Sequence, residues 1–398
     1  MYSLLLAVIY LAFISLGLPD SALGAVWPTL HIELGVPISY AGVLSMVVSA
    51  FTILSSLLSD RMTRKFGTGP VTAVSVLLTV LGLFGYSFSN SFAMMLAFAV
   101  PYGLGAGAVD AALNNYVALH YAARHMSWLH CFWGVGTVIS PYILSYAIGV
   151  SHDWAAGYRI VGAIQIGIAA VLFASLPLWR RAAKGFSKAE GAATSESGSA
   201  VTIAGALRLP GFLETVLGFF CYCSLESVSM LWASSYFTGV FAVTEEQAAA
   251  LGSLVYIGIA VGRFASGFVS ERLGDRRLIR IGLGVVAVGI ALIALPLDSR
   301  YCAVAGFLVV GLGCAPIYPA VIHATPERFG KRNSQALIGI QMAFSYVGYT
   351  LIPVVSGFVI GALGLRILPL FMLLFAGMVL VMTELVNRRL KHREETTK

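Results

Sequence analysis

The sequence predicts an all-α integral membrane protein with twelve transmembrane helices arranged as two pseudo-symmetric six-helix halves. Three observations carry that prediction. Charged residues are scarce, apolar runs long enough to cross a bilayer recur from one end of the chain to the other, and pieces of the first half return in the second at a nearly constant offset.

Of 398 residues, 58% are hydrophobic and 11% charged, with a mean hydropathy of +0.87. A soluble domain carries roughly 25% charged residues, so this chain has too little charge to coat a water-facing surface. Runs of about 20 apolar residues read as membrane-crossing helices. Breaks at charge and turn residues place the spans at 3–31, 38–60, 70–88, 91–119, 126–150 and 157–179, then at 209–240, 246–271, 277–297, 301–325, 333–361 and 366–387. The first lacks a basic leader region and a small-residue cleavage site, and reads as a retained helix.

The net charge of +7 raises nucleic acid as a partner, and its distribution excludes it. Of 25 Lys and Arg, 21 fall in alternate loops and the tail, on one side of the membrane. Only Arg159, Arg300 and Arg366 lie on the other side, and Arg263 sits inside a span. The positive-inside rule then puts both termini in the cytoplasm. The five cysteines have no metal-site or redox spacing and read as small hydrophobes. Short outer loops without an Asn-x-Ser/Thr site fit a bacterial inner membrane.

Residues 180–208 form the one long hydrophilic connection, a flexible linker with room for a surface helix. It separates an N-terminal half, 1–179, from a C-terminal half, 209–390, followed by a cytoplasmic tail, 391–398. The halves repeat. Gly103-Leu-Gly105 matches Gly311-Leu-Gly313, Gly136-TVIS-Pro141 matches Gly348-YTLI-Pro353, and SLLSDRMTRK at 56–65 matches GFVSERLGDR at 267–276. Six-helix halves of the same orientation describe a parallel repeat, an architecture that binds its solute between halves near the midplane.

The Asp-Arg loop after the second span resembles the signature of the major facilitator superfamily. The first copy has Ser56 and Thr63 where that signature has glycines, and the copy from Gly267 to Arg277 is closer. Three pieces resemble the fucose permease (sugar:proton symporter) family: GLPDSALGAVWP, GLGAGAVDAALNNY and VGRFASGFVSERLG. That family carries an acid in the first and fourth spans, here Asp20 and Asp110.

A charge at the bilayer centre costs roughly 2.5–3.5 kcal/mol on insertion scales, so its helix face matters. Gly103, Gly107, Asp110 and Asn114 share one face, and Gly17, Asp20, Gly24, Trp27 and His31 share another. Small residues allow close helix approach, so both faces point inward. An acid there can take a proton on one side and release it on the other, and one charge moved through 100 mV gains about 2.3 kcal/mol. The alternative is a permanently paired aspartate that joins helices. Glu226, in the seventh span, takes roughly the place of Asp20 in the other half. Arg263 pairs with a carboxylate or with backbone carbonyls, or serves packing.

Candidate solute contacts are Trp27, two turns from Asp20; Asn114, on the face of Asp110; His130, where the resemblance implies a polar sugar contact; and Gln341, near the repeat position of His130. Tyr318 falls 208 residues after Asp110, a phenol in place of the acid. Helix joining and ordinary packing are the alternatives. Pro19, Pro28, Pro141, Pro316, Pro319 and Pro353 predict kinks. At the cytoplasmic ends, the resemblance implies a latch made by Asp60-Arg61 and Glu271-Arg272, with solvated helix-end charge as the alternative.

The expected function is proton-coupled symport of a sugar or similar polyhydroxylated solute by alternating access. A proton-antiport exporter of amphiphilic compounds and a nontransporting solute sensor are the other readings. No nucleophile–base pair, zinc spacing or phosphate loop is present, so neither an enzyme nor a cofactor is expected. The expected partners are the solute, protons and the bilayer, with the chain acting as a monomer.

Overall fold

The computed structural model describes residues 2–37, 40–151, 153–189, 202–243, 245–295 and 300–396. The fold is 92% helical, and among the described residues it has no strand. Twelve helical segments there are long and apolar enough to cross a membrane, as the sequence predicts.

In chain order the helices are α1 (Tyr2–Asp20), α2 (Ala22–Glu33), α3 (Tyr40–Phe66), α4 (Thr68–Ser87), α5 (Phe92–His120), α6 (Ala123–Ser151), α7 (Trp154–Ala174), α8 (Leu176–Ala189) and α9 (Ile203–Leu207). They continue with α10 (Phe212–Phe241), α11 (Glu245–Gly252), α12 (Leu254–Leu273), α13 (Asp275–Ala294), α14 (Arg300–Cys314), α15 (Ile317–His323), α16 (Thr325–Phe329), α17 (Ser334–Leu363) and α18 (Leu368–Thr396). They form two compact units: Met1–His120 with Leu129–Ala200, and Tyr121–Trp128 with Val201–Lys398.

Near two of the prolines predicted to kink their spans, Pro19 and Pro316, the first and tenth spans break outright. The first breaks at Ser21, just after Pro19, and the tenth at Ala315–Pro316. Proline has no N–H, so the carbonyl four residues earlier loses its ladder donor. In a membrane such a carbonyl needs another partner. The side-chain amide of Gln165 on α7 donates to the Ser15 carbonyl, four residues before Pro19, and the Ser15 hydroxyl donates back to Gln165. Pro141 strips the Thr137 carbonyl in the same way, and the Ser21 hydroxyl donates to it at 2.7 Å. The carbonyls stranded by Pro19 and Pro141 are thus satisfied by specific side chains.

The repeat read from the sequence recurs as a repeat of contacts. A Cβ on Gly103 would strike the Val48 carbonyl of α3, and one on Gly311 would strike the Val255 carbonyl of α12, positions 208 and 207 residues on. Gly105 abuts the Ser75 carbonyl of α4, and Gly313 abuts the Gly282 carbonyl of α13. Gly136 lies on the Ile14 carbonyl of α1, and Gly348 lies on the Phe220 carbonyl of α10. Only glycine permits such backbone-to-backbone approach. The two Asp-Arg loops share a turn as well, since Gly67 and Gly274 have φ of 84° and 71°.

The connection expected as a flexible linker begins as ordered helix. α8 is held within the first unit by Trp179, which is 5% exposed, lies against Gly69 and packs at a tilt on Tyr116 at 4.9 Å. Residues 190–201 of the linker lie outside the described residues. α9 is capped by the Thr202 hydroxyl, which accepts from the Gly205 N–H at 3.1 Å.

Candidate functional site

Each unit brings predicted residues together in its own cluster. In the first unit Asp20 ends α1 at the break, where its side chain is accessible although the helix is otherwise largely buried. The Trp133 indole N–H on α6 donates to its Oδ2 at 2.8 Å, and the Tyr102 hydroxyl on α5 donates to its Oδ1 at 3.4 Å. Both donors are neutral. The close α1–α6 approach at Gly17 and Gly136 brings Trp133 within reach.

Asp110 is buried on α5, and its carboxylate lies within electrostatic range of Asp20. Asn114, one turn on, donates its amide to Asp110 Oδ1 at 2.7 Å and to the Asp110 carbonyl at 3.0 Å. Asn114 is fully buried, so one side-chain amide both caps a turn and orients the acid. Gly107 on the same face lets α5 lie against the Thr52 carbonyl of α3.

In the second unit the Arg263 guanidinium on α12 donates to Glu226 Oε1 on α10 at 3.0 Å. The Tyr222 hydroxyl lies 3.0 Å from the same oxygen and 2.9 Å from the Cys314 carbonyl, where α14 stops. Glu226 and Arg263 are 5% and 3% exposed. The offset that carries Ile14 to Phe220, 206 residues, also carries Asp20 to Glu226. Corresponding acids therefore meet different partners: neutral donors in one half, a cation in the other.

Of the candidate solute contacts, Trp27 is buried at 5% exposure, with ring contacts to His31 at 6.2 Å and Phe92 at 6.5 Å. His130 is buried edge-on to Phe13 at 5.4 Å. Tyr318 is half-buried, its ring tilted against Phe219 at 4.8 Å, with its hydroxyl 3.2 Å from Met342 Sδ. Gln341 is fully buried; its Oε1 accepts from the Thr325 hydroxyl at 3.0 Å, while Nε2 has no hydrogen bond among the described residues.

At the helix ends, Asp60 pairs with Arg64 one turn along its own helix at 2.9 Å, and Arg61 is exposed. Glu271 pairs with Arg124 at 3.1 Å inside the second unit, where Trp128 also covers Gly267, and Arg272 is exposed. Sequence reasoning missed His323–Asp275 at 2.7 Å, Arg280–Glu384 at 2.7 Å and Arg389–Glu214 at 2.9 Å. Nothing in linear spacing links these partners. Asp60 and Arg64, four apart on one helix, were within reach of that logic.

A protein of Saccharomyces cerevisiae, "Bypass of stop codon protein 6", is 22% identical over 415 residues, covering 96% of this chain and 82% of its own. Among solved structures, the fold is similar to that of FucP of E. coli in the outward conformation, with TM-score 0.78, 14% identity and coverage of 96% and 98%. It is also similar to the human organic anion transporter MFSD10, with TM-score 0.77, 15% identity and coverage of 96% and 98%. The proton:xylose symporter XylE gives TM-score 0.77, 12% identity and coverage of 95% and 93%. The family model of the Major Facilitator Superfamily matches residues 9–236 and 215–398, and the chain belongs to that superfamily.

Proposed function

We propose that this multi-pass membrane transporter is a proton-coupled symporter that imports a sugar or similar polyhydroxylated solute by alternating access. The observation that carries the reading is Asp20: an accessible acid at a broken helix, held by the neutral donors Trp133 and Tyr102 and within electrostatic range of Asp110. An acid held by neutral donors is not committed to a fixed cation, which is what a proton carrier needs. FucP and XylE, named as fucose:proton and proton:xylose symporters, lend the fold-level analogy.

In the proposed cycle Asp20 and Asp110 take protons from outside, solute binds, and proton release to the cytoplasm resets the site. Glu226 is the third proton-coupling acid. Asn114, Trp27, His130, Tyr318 and Gln341 supply hydrogen bonds and ring faces to the solute. Asp60, Arg61, Glu271 and Arg272 form the cytoplasmic gate. Both termini face the cytoplasm of a bacterial inner membrane, and the chain acts as a monomer; the basic loops support this orientation.

The test is uptake of neutral monosaccharides by proteoliposomes under an imposed pH gradient. Solute entry should alkalinise the outside. Asp110→Asn should abolish accumulation while sparing counterflow exchange. Full accumulation in that variant refutes the coupling assignment, and acid-driven expulsion refutes import.

A further inference from the structure

The buried pair in the second unit is not required by the scaffold that holds it. The offset relating α3 to α12 is 207 residues, which places Arg263 on Ser56. Ser56 is a small hydroxyl that donates to the Gly107 carbonyl at 3.2 Å, and the first unit makes the same glycine seams with no cation at that position. A buried ion pair is costly to desolvate and often no more stable than apolar side chains of equal volume. An arginine kept inside a membrane helix therefore points to function.

The surroundings narrow that function. Tyr256 lies two turns from Arg263 on the same face of α12 and is 47% exposed. Tyr349 on α17 is 39% exposed, and its hydroxyl lies 3.3 Å from Met230 Sδ, one turn from Glu226 on α10. Both phenols are within electrostatic range of Glu226. Two exposed phenols thus share the surroundings of Glu226 with a buried guanidinium whose present partner is that carboxylate. Guanidinium suits carboxylate, and phenols suit hydroxyls.

We infer that Arg263 is the anchoring point for the carboxylate of an anionic, hydroxylated solute, a sugar acid, and that Glu226 holds this place until the solute takes it. The inference rests on the reading of the chain as a carrier of polyhydroxylated solutes and narrows the class. A solute carboxylate that takes the guanidinium would leave Glu226 as a lone charge in a dry setting, so Glu226 takes up a proton as the solute docks. The titratable groups facing Glu226 are Arg263 and Tyr256 on α12, Tyr222 on α10, Cys314 on α14 and Tyr349 on α17, and of these Arg263 alone is cationic. One anion then enters with one proton.

The experiment uses purified full-length protein and matched probes that differ only at one carbon: D-galacturonate against D-galactose, and D-glucuronate against D-glucose, with binding followed by calorimetry. The acid of at least one pair should bind about tenfold or more tightly than its neutral partner, the scale of one charge-assisted contact. In weak buffer its binding should take up a proton. Glu226→Gln, which removes the internal competitor, should tighten the acid and abolish the proton uptake. Arg263→Gln should erase the preference, and E226Q/R263Q carries the same expectation should the single variant not fold. Equal or better binding of the neutral sugars overturns this inference and leaves the sugar reading standing. A preference for the acid that survives Arg263→Gln overturns the assignment to Arg263. Binding of no probe overturns both readings.

Discussion

Trp133 donates its indole N–H to the Asp20 carboxylate across 2.8 Å, joining residues 113 apart in sequence at the point where Pro19 ends α1. Trp133→Phe keeps the ring and deletes the donor. A hydrogen bond to a charged group contributes about 1.5–3 kcal/mol, so proton-driven uptake should fall roughly tenfold to a hundredfold. Asp20→Asn should abolish accumulation and leave counterflow intact. Initial-rate uptake under a fixed pH gradient checks both, and an unchanged rate in Trp133→Phe would show that the contact is ornamental.

The Gln165 amide is the substitute donor for the carbonyl that Pro19 strands. Gln165→Leu should cost about 1–3 kcal/mol, the penalty for an unsatisfied buried carbonyl. Adding Pro19→Ala restores an N–H at the right place in the ladder and should recover part of the loss. Thermal unfolding in detergent measures the two variants, and additive losses would sink the account.

Glycines of opposite environment sit two residues apart on α6. A Cβ on Gly136 would strike the Ile14 carbonyl and the Leu18 N–H, whereas one on Gly134 meets nothing within 4 Å. Gly136→Ala should destabilise by about 1–3 kcal/mol through overpacking, and Gly134→Ala should be near neutral. Gly348→Ala should repeat the effect of Gly136→Ala in the other half. Equal unfolding temperatures for the two α6 variants would contradict the packing described.

Removing one member of a buried ion pair is far worse than removing both. Glu226→Met alone leaves Arg263 without its carboxylate and should cost about 3–5 kcal/mol. The double change with Arg263→Met should recover most of that. Unfolding midpoints of the three proteins decide it, and a double variant as unstable as the single one would refute the coupling.

The fold was legible because its signals are local or periodic. Apolar runs mark the spans, and the Gly103/Gly311 and Gly136/Gly348 correspondences mark the repeat that recurs as backbone contacts. The face shared by Asp110 and Asn114 was readable because residues four apart on a helix are neighbours. What joins distant helices was not. Nothing in the spacing of Trp133 marks it as the partner of Asp20, since that contact is set by a glycine crossing elsewhere. Arg263 was recognisable as an intramembrane cation, but its choice of Glu226 depends on how α10 and α12 lie together. A kink in the first span was visible as Pro19, yet the repair of the stranded carbonyl by Gln165 on α7 belongs to tertiary structure.

The seam at Gly136 sets main chain against main chain, and the seam at Gly348 sets it against the Phe220 carbonyl and the Ser224 and Phe220 side chains, with no room for a Cβ at either. Surfaces mated so tightly are joinery, and neither can slide a fraction of a residue without collision. Whatever bends during a turnover must bend elsewhere, and the rods already cut at Ser21 and at Ala315–Pro316 are where the material has been thinned.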